Sequence, residues 1–139
     1  MPIAAPRPCV NKRVVLDASA LICFLFEEPG HERVAAALDG AMIGSVNLAE
    51  VIAKLVDKGA NVERMISNIA LLEIEIVPFD QLQAEASGRL RASTRGAGLS
   101  LGDRSCFALA QSRGATALTG DRDWLRVADA AGVEVEMIR

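Results

Sequence analysis

Short β-rich apolar runs alternate along this chain with stretches whose apolar residues recur every three or four positions. That alternation predicts strands over residues 13–16, 41–44, 74–77, 116–118 and 133–137. Between them it predicts helices over 18–26, 31–38, 48–58, 61–72, 80–93, 101–113 and 122–131. Leu48, Val51, Ile52 and Leu55 mark one buried helical face, and Val62, Met65, Ile66 and Ile69 lie on one side of a further amphipathic helix. Glu27-Glu28-Pro29-Gly30, Asp39-Gly40, Gly59 and Pro78 close elements, and 94–98 reads as a glycine-containing loop. Strands and helices in alternation predict an α/β domain around a parallel sheet.

The 139 residues make one domain with a sizeable core. Residues 13–139 read as the folded unit. Residues 1–12 carry Pro2, Pro6 and Pro8, lack the apolar stretch of a secretory signal, and read as a loose N-terminal extension. The chain is 51% hydrophobic with a mean hydropathy of +0.27. No run nears the ~18 apolar residues of a membrane span. The excess fits either a surface covered by a second copy or a partner, or a buried sheet rich in Ala and Val. Cys9, Cys23 and Cys106 form no CxxC pair, and the last two read as small buried hydrophobes in a reduced cytosol.

A net charge of -3 counts against a general grip on nucleic acid. Residues 89–113 run the other way, with Arg89, Arg91, Arg95, Arg104 and Arg113 against Asp103 alone. Ordinary solvated helix charge would explain that run; so would a local basic shoulder.

The acids change the picture. Asp17, Glu50, Asp103 and Asp121 each fall just past an apolar stretch. Helix capping could account for each singly, since negative groups are favoured at helix starts. Asn47 with Glu50, and Ser100 with Asp103, have capping-box spacing. Capping does not account for a shared location. In an open parallel sheet, ligands bind outside the carboxyl ends of the strands, where all four can converge. Two unit charges about 4 Å apart repel by roughly 4 kcal/mol at an effective dielectric of 20. An ionised cluster therefore calls for a divalent cation, and a hydrated cation among oxygens suits phosphodiester hydrolysis.

Four segments carry a resemblance. Val15-Leu16-Asp17-Ala18-Ser19-Ala20-Leu21 is the first and Val46-Asn47-Leu48-Ala49-Glu50-Val51 the second. Leu99-Ser100-Leu101-Gly102-Asp103 and Leu118-Thr119-Gly120-Asp121-Arg122-Asp123-Trp124 complete the set. In order and spacing they resemble the motifs of PIN-domain ribonucleases, and the Asn-Leu-Ala-Glu form is similar to VapC-type toxins of toxin–antitoxin pairs. The resemblance implies a three-layer α/β/α sandwich with a central parallel sheet. It implies that Asp17, Glu50, Asp103 and Asp121 hold Mg²⁺ or Mn²⁺ for RNA hydrolysis, leaving a 5′-phosphate and a 3′-hydroxyl. Ser19 and Thr119 match small hydroxyl positions beside the first and last acids, and Asn47 a polar position beside the second. Asp123 is a further acid whose plainer role is an exposed first helical turn. The resemblance also implies a protein antitoxin and a homodimer.

Arg89, Arg91, Arg95, Arg104 and Arg122, near the third and fourth motifs, are the expected phosphate contacts. Phe24, Phe26, Ile69 and Leu72 offer apolar positions for a partner helix, or else fill the core. His31 is the one histidine and reads as exposed, which leaves no metal-free acid–base route built on imidazole. A phosphoacceptor signalling domain would also cluster acids at strand ends, but residues 101–139 hold no lysine. A silent PIN-like binding domain, an RNA-processing enzyme and a DNA nuclease stay open.

Overall fold

The computed structural model describes residues 13–139, so the expected extension over 1–12 and Cys9 lie outside the described residues. Five strands form one parallel sheet in the order β3-β2-β1-β4-β5. They are β1 (Val14–Leu16), β2 (Met42–Gly44), β3 (Glu75–Val77), β4 (Thr116–Thr119) and β5 (Val135–Met137). The central register sets Val14 against Thr116, Val15 against Ala117 and Leu16 against Leu118.

Every residue of β1 is buried, because both faces of the sheet are covered. Val15, Met42 and Ala117 face one core with Phe107 and Trp124. Val14, Leu16, Ile43 and Leu118 face a second core with Leu21, Val51 and Leu55. Alternation along three residues of β1 thus feeds both layers of the sandwich.

The second core belongs to α1 (Ala18–Leu25), α2 (His31–Ala37), α3 (Ser45–Asp57) and α4 (Val62–Leu71). The first core is built largely on α7 (Leu101–Arg113), with α5 (Gln81–Arg89) and α6 (Arg91–Thr94) beside it and α8 (Ala128–Ala131) near the end of the chain. Among the described residues these are eight α-helices around five parallel strands, the expected α/β architecture.

Three helical expectations shift. The helix expected over 80–93 divides into α5 and α6, and the 94–98 loop is mostly a 3₁₀ turn, Arg95–Ala97. The helix expected over 122–131 divides into a 3₁₀ turn, Arg122–Arg126, and α8. There Trp124 is fully buried with its ring 4.8 Å from that of Phe107, and this anchor decides the local backbone. Helix α3 starts at Ser45, with Gly44 as its cap residue, three residues before the apolar periodicity begins. Asn47 is therefore inside the helix rather than before it.

Candidate active site at the carboxyl edge of the sheet

Strand β1 lies between β2 and β4, so the chain reverses its direction of travel across the sheet at β1 and β4. The crevice outside the carboxyl ends of such a pair is where open α/β sheets bind ligands. Asp17 follows β1, and Thr119 ends β4 beside it. Their backbones are tied, with Asp17 N–H donating to Leu118 O at 3.0 Å.

A cavity of about 300 Å³ opens at this crevice, and Asp17, Glu50 and Asp103 all line it. Three segments of sequence deliver the acids. Asp17 occupies the cap position of α1, yet its side chain makes no capping bond. Instead, Asp17 Oδ2 accepts from Ser19 Oγ at 2.7 Å and from Thr119 Oγ1 at 2.8 Å. Ser19 Oγ also accepts from Gly120 N–H, and Thr119 Oγ1 accepts from Asp121 N–H, both at 3.0 Å. The two hydroxyls thus clamp the first and last motifs together around one carboxylate oxygen.

Glu50 is oriented by Asn47. The fully buried Asn47 donates through Nδ2 to Glu50 Oε1 at 2.9 Å and to Gly102 O at 3.1 Å, joining α3 to the first turn of α7. The capping-box reading of Asn47 with Glu50 gives way to this bridge, because Asn47 sits inside α3. Gly102 leaves room for the Glu50 carboxylate: a Cβ there would stand 2.6 Å from Glu50 Cδ and 2.7 Å from Oε1, so a larger residue would displace that carboxylate. The second pair does form its capping box, with Ser100 N–H on Asp103 Oδ2 at 2.9 Å and Asp103 N–H on Ser100 Oγ at 3.2 Å. Asp103 caps its helix and still lines the cavity.

The fourth acid stands apart. Asp121 is exposed, does not line this cavity, and caps the 3₁₀ turn by accepting from Asp123 N–H at 2.9 Å. It is linked to the others through its own N–H on Thr119. Asp123 is exposed and pairs with Arg126 at 3.4 Å.

The electrostatics carry a clear sign. Burial pushes the Asp17 carboxyl above its ordinary range, with the Ser19 and Thr119 hydrogen bonds opposing and the Asp103 charge adding to the rise. Burial also raises Glu50, with the Asn47 bond opposing and the Asp17 and Asp103 charges adding. Asp17, Glu50 and Asp103 have no ion pair among the described residues.

The donors are all carboxylate oxygens, the chemistry of a hard divalent cation. Among the described residues no three His, Cys, Asp or Glu side chains stand close enough to enclose one ion. Mg²⁺ is commonly held by one or two carboxylates with waters completing its shell, so the donor set fits that cation without a closed protein cage.

The arginines expected to contact phosphate do not line the cavity. Arg104 Nη1 donates to Ser87 O at 3.0 Å, and Arg89 Nη2 lies 3.7 Å from Glu85. Arg91, Arg95 and Arg122 are exposed, on or beside the two 3₁₀ turns, which pack together. Lys54, Glu28 and Arg139 do line the cavity and carry no mark in the four motifs. The signal for Lys54 is its place on α3 one turn past Glu50, on the face that holds Asn47.

The PIN-domain family model matches residues 14–130. The chain belongs to the PIN-domain family. Among solved structures, this PIN domain is similar to DNA-bound VapBC from Salmonella typhimurium, with a TM-score of 0.71 and 21% identity over 92% of this chain and 99% of that one. It is also similar to FitAcB from Neisseria gonorrhoeae, with a TM-score of 0.67 and 26% identity over 88% of this chain and 95% of the other. VapC20 of Mycobacterium tuberculosis, described as a toxin that cleaves the sarcin–ricin loop, matches with a TM-score of 0.69 and 19% identity over 86% of this chain and 95% of that one. No curated protein matches the sequence.

Proposed function

We propose that this PIN domain is a Mg²⁺- or Mn²⁺-dependent endoribonuclease and the toxin of a toxin–antitoxin pair. One observation carries the catalytic reading: Asp17, Glu50 and Asp103 share a cavity at the sheet's reversal point, and none of them forms an ion pair among the described residues. Asp17 and Asp103 would hold the cation, with Glu50 and Asp121 supporting it directly or through water. When bound, the cation would supply positive charge against the phosphoryl oxygens and make a water more acidic.

The chain's own groups do the rest. Ser19 and Thr119 fix one oxygen of Asp17, leaving the other outside that clamp. Asn47 holds Glu50 where its carboxylate can orient a water and take its proton, a task its raised pKa suits. Asp103 is fixed by its capping box and keeps one oxygen outside that bond. Arg91, Arg95 and Arg122 supply positive charge for phosphates flanking the cleaved bond.

The antitoxin reading rests on a second hollow, of about 270 Å³, lined by Phe24, Leu25, Met65 and Leu72 between α1 and α4. Phe24 and Leu72 were expected there. Ile69 is instead buried in the core, and Phe26 sits at the surface with Lys58 Nζ 4.9 Å from its ring. Glu27, His31 and Asn68 rim the same hollow, so an amphipathic helix of the antitoxin fits it, and a second copy of the chain completes the assembly. Among the described residues no helix is long and apolar enough to cross a membrane. Cys23 and Cys106 are free and buried, in keeping with a cytosolic setting.

Incubation of purified protein with structured and single-stranded RNA tests the catalytic reading. Cleavage should require Mg²⁺ or Mn²⁺ and leave 5′-phosphate ends. Undiminished cleavage in EDTA would remove the metal from the account. Size measurement with and without the product of the adjacent reading frame tests the partner.

A further inference from the structure

We propose that Lys54 is the substrate-positioning cation of the acidic cavity, gripping a phosphate of the RNA strand beside the cleaved bond. This rests on the nuclease reading for its substrate and extends it to a residue outside the four motifs.

Near the site, cations are either committed to the protein or placed elsewhere. Arg139 lines the cavity, but its Nη1 donates to Pro29 O at 2.8 Å and holds the turn between α1 and α2. Arg104 is turned to Ser87 O. Lys58, the cap residue just past the end of α3, lies over Phe26. Arg64, Arg91, Arg95 and Arg122 are uncommitted but do not line the cavity.

Lys54 combines both properties. It lines the cavity with Asp17, Glu50 and Asp103, and its side chain has no ion pair or hydrogen bond among the described residues. Its freedom is informative. A Glu followed four residues later by Lys on a helix ordinarily closes into a pair in this favourable orientation. Glu50 is instead drawn to the Asn47 amide, and Lys54 is left exposed at the cavity wall.

A polyanion approaching three carboxylates meets repulsion. An ammonium on a flexible stem at the same wall offers an approaching phosphate oxygen a charge-assisted hydrogen bond. The strand would then cross the α1–α3 side of the cavity as well as the arginine side.

The test uses the whole protein and a fluorescent single-stranded RNA oligonucleotide in EDTA, with anisotropy read across a salt series. Lys54→Ala should weaken binding about tenfold at low salt and flatten the log–log salt slope by about 0.7, the worth of one phosphate contact on a single strand. Lys54→Arg should restore most of the slope. Lys58→Ala removes the same charge just past the end of α3, outside the cavity, and should match wild type. In cleavage assays Lys54→Ala should raise KM more than it lowers kcat.

An unchanged slope in Lys54→Ala, equal losses in the two alanine variants, or no wild-type binding in EDTA would each overturn the proposal. A shallower slope in a protein that cleaves nothing would keep Lys54 as an RNA contact and sink the nuclease reading. Normal cleavage with an unchanged slope would do the reverse.

Discussion

The two ends of the sheet treat their acids in opposite ways. At the amino end, Glu75 opens β3 and takes Arg13 Nη2 at 2.6 Å and Arg113 Nη1 at 3.5 Å. The Arg13 hydrogen bond is the main cause that holds this exposed carboxyl below its ordinary range. Glu134, just before β5, accepts from Thr116 Oγ1 at 3.2 Å. At the carboxyl end, Asp17 and Glu50 are raised, and neither forms an ion pair among the described residues. An open hollow of about 750 Å³ lies at the amino end and exceeds the acidic cavity in size, so size does not locate the site. The distinction is neutralisation. The chain pairs Glu75 with two arginines and gives Asp17, Glu50 and Asp103 no ion pair among the described residues. Unneutralised buried charge costs stability, and such cost is concentrated at functional sites.

Substitutions at the carboxyl end break this contrast most severely. Asp17→Asn or Asp103→Asn should lower RNA cleavage by about a hundredfold or more, the scale of one preorganised charge-stabilising group. Circular dichroism should show the fold retained. Asn47→Ala removes the bridge between Glu50 and Gly102 and should cost about 10–100-fold in activity or metal affinity. Wild-type turnover in that variant would show that Glu50 needs no positioning.

Thr119→Val acts more gently. It removes a hydrogen bond that favours ionised Asp17, so the Asp17 pKa rises further. The acid limb of the pH–rate profile should then move to higher pH; a limb that stays in place would detach Asp17 from the titration that controls rate.

Stability gives the smallest and most direct contrast. A carboxyl raised by folding adds stability below its unfolded pKa, and that contribution is lost as pH rises through its folded pKa. Metal-free Asp17→Asn should therefore melt a few degrees above wild type at neutral pH, with the gain vanishing in acid. Glu75 is lowered by folding, so its contribution is present above the unfolded pKa and lost as pH falls through the folded one. Glu75→Gln should melt slightly below wild type at neutral pH, the difference fading in acid and in high salt. Melting curves that shift the same way for both variants would erase the contrast.

Much of this was legible in the chain. The five strands follow from short apolar runs, and the acids sit where α/β topology places ligands. Capping and cavity lining proved compatible at Asp103, which does both, whereas Asp121 caps a turn outside the cavity. What sequence periodicity could not give was the start of α3, because the buried face opens on a polar residue, Asn47, ahead of the apolar repeat that begins at Leu48. Asn47 therefore looked like a cap when it is a bridge. The split of the last helix was hidden for a different reason: burial of Trp124 against Phe107 is a tertiary contact that local pattern does not encode. Lys54 leaves no mark in a charge run such as that over 89–113, because it is a single charge placed by the helical face it shares with Glu50.

Calorimetric titration of Mn²⁺ into metal-free protein, wild type beside Asp17→Asn, tests the central claim that the carboxyl-edge acids await a cation. Wild type should bind with saturable heat and gain thermal stability as Mn²⁺ rises, and Asp17→Asn should lose most of both. No binding to wild type, or equal binding to both proteins, would contradict it.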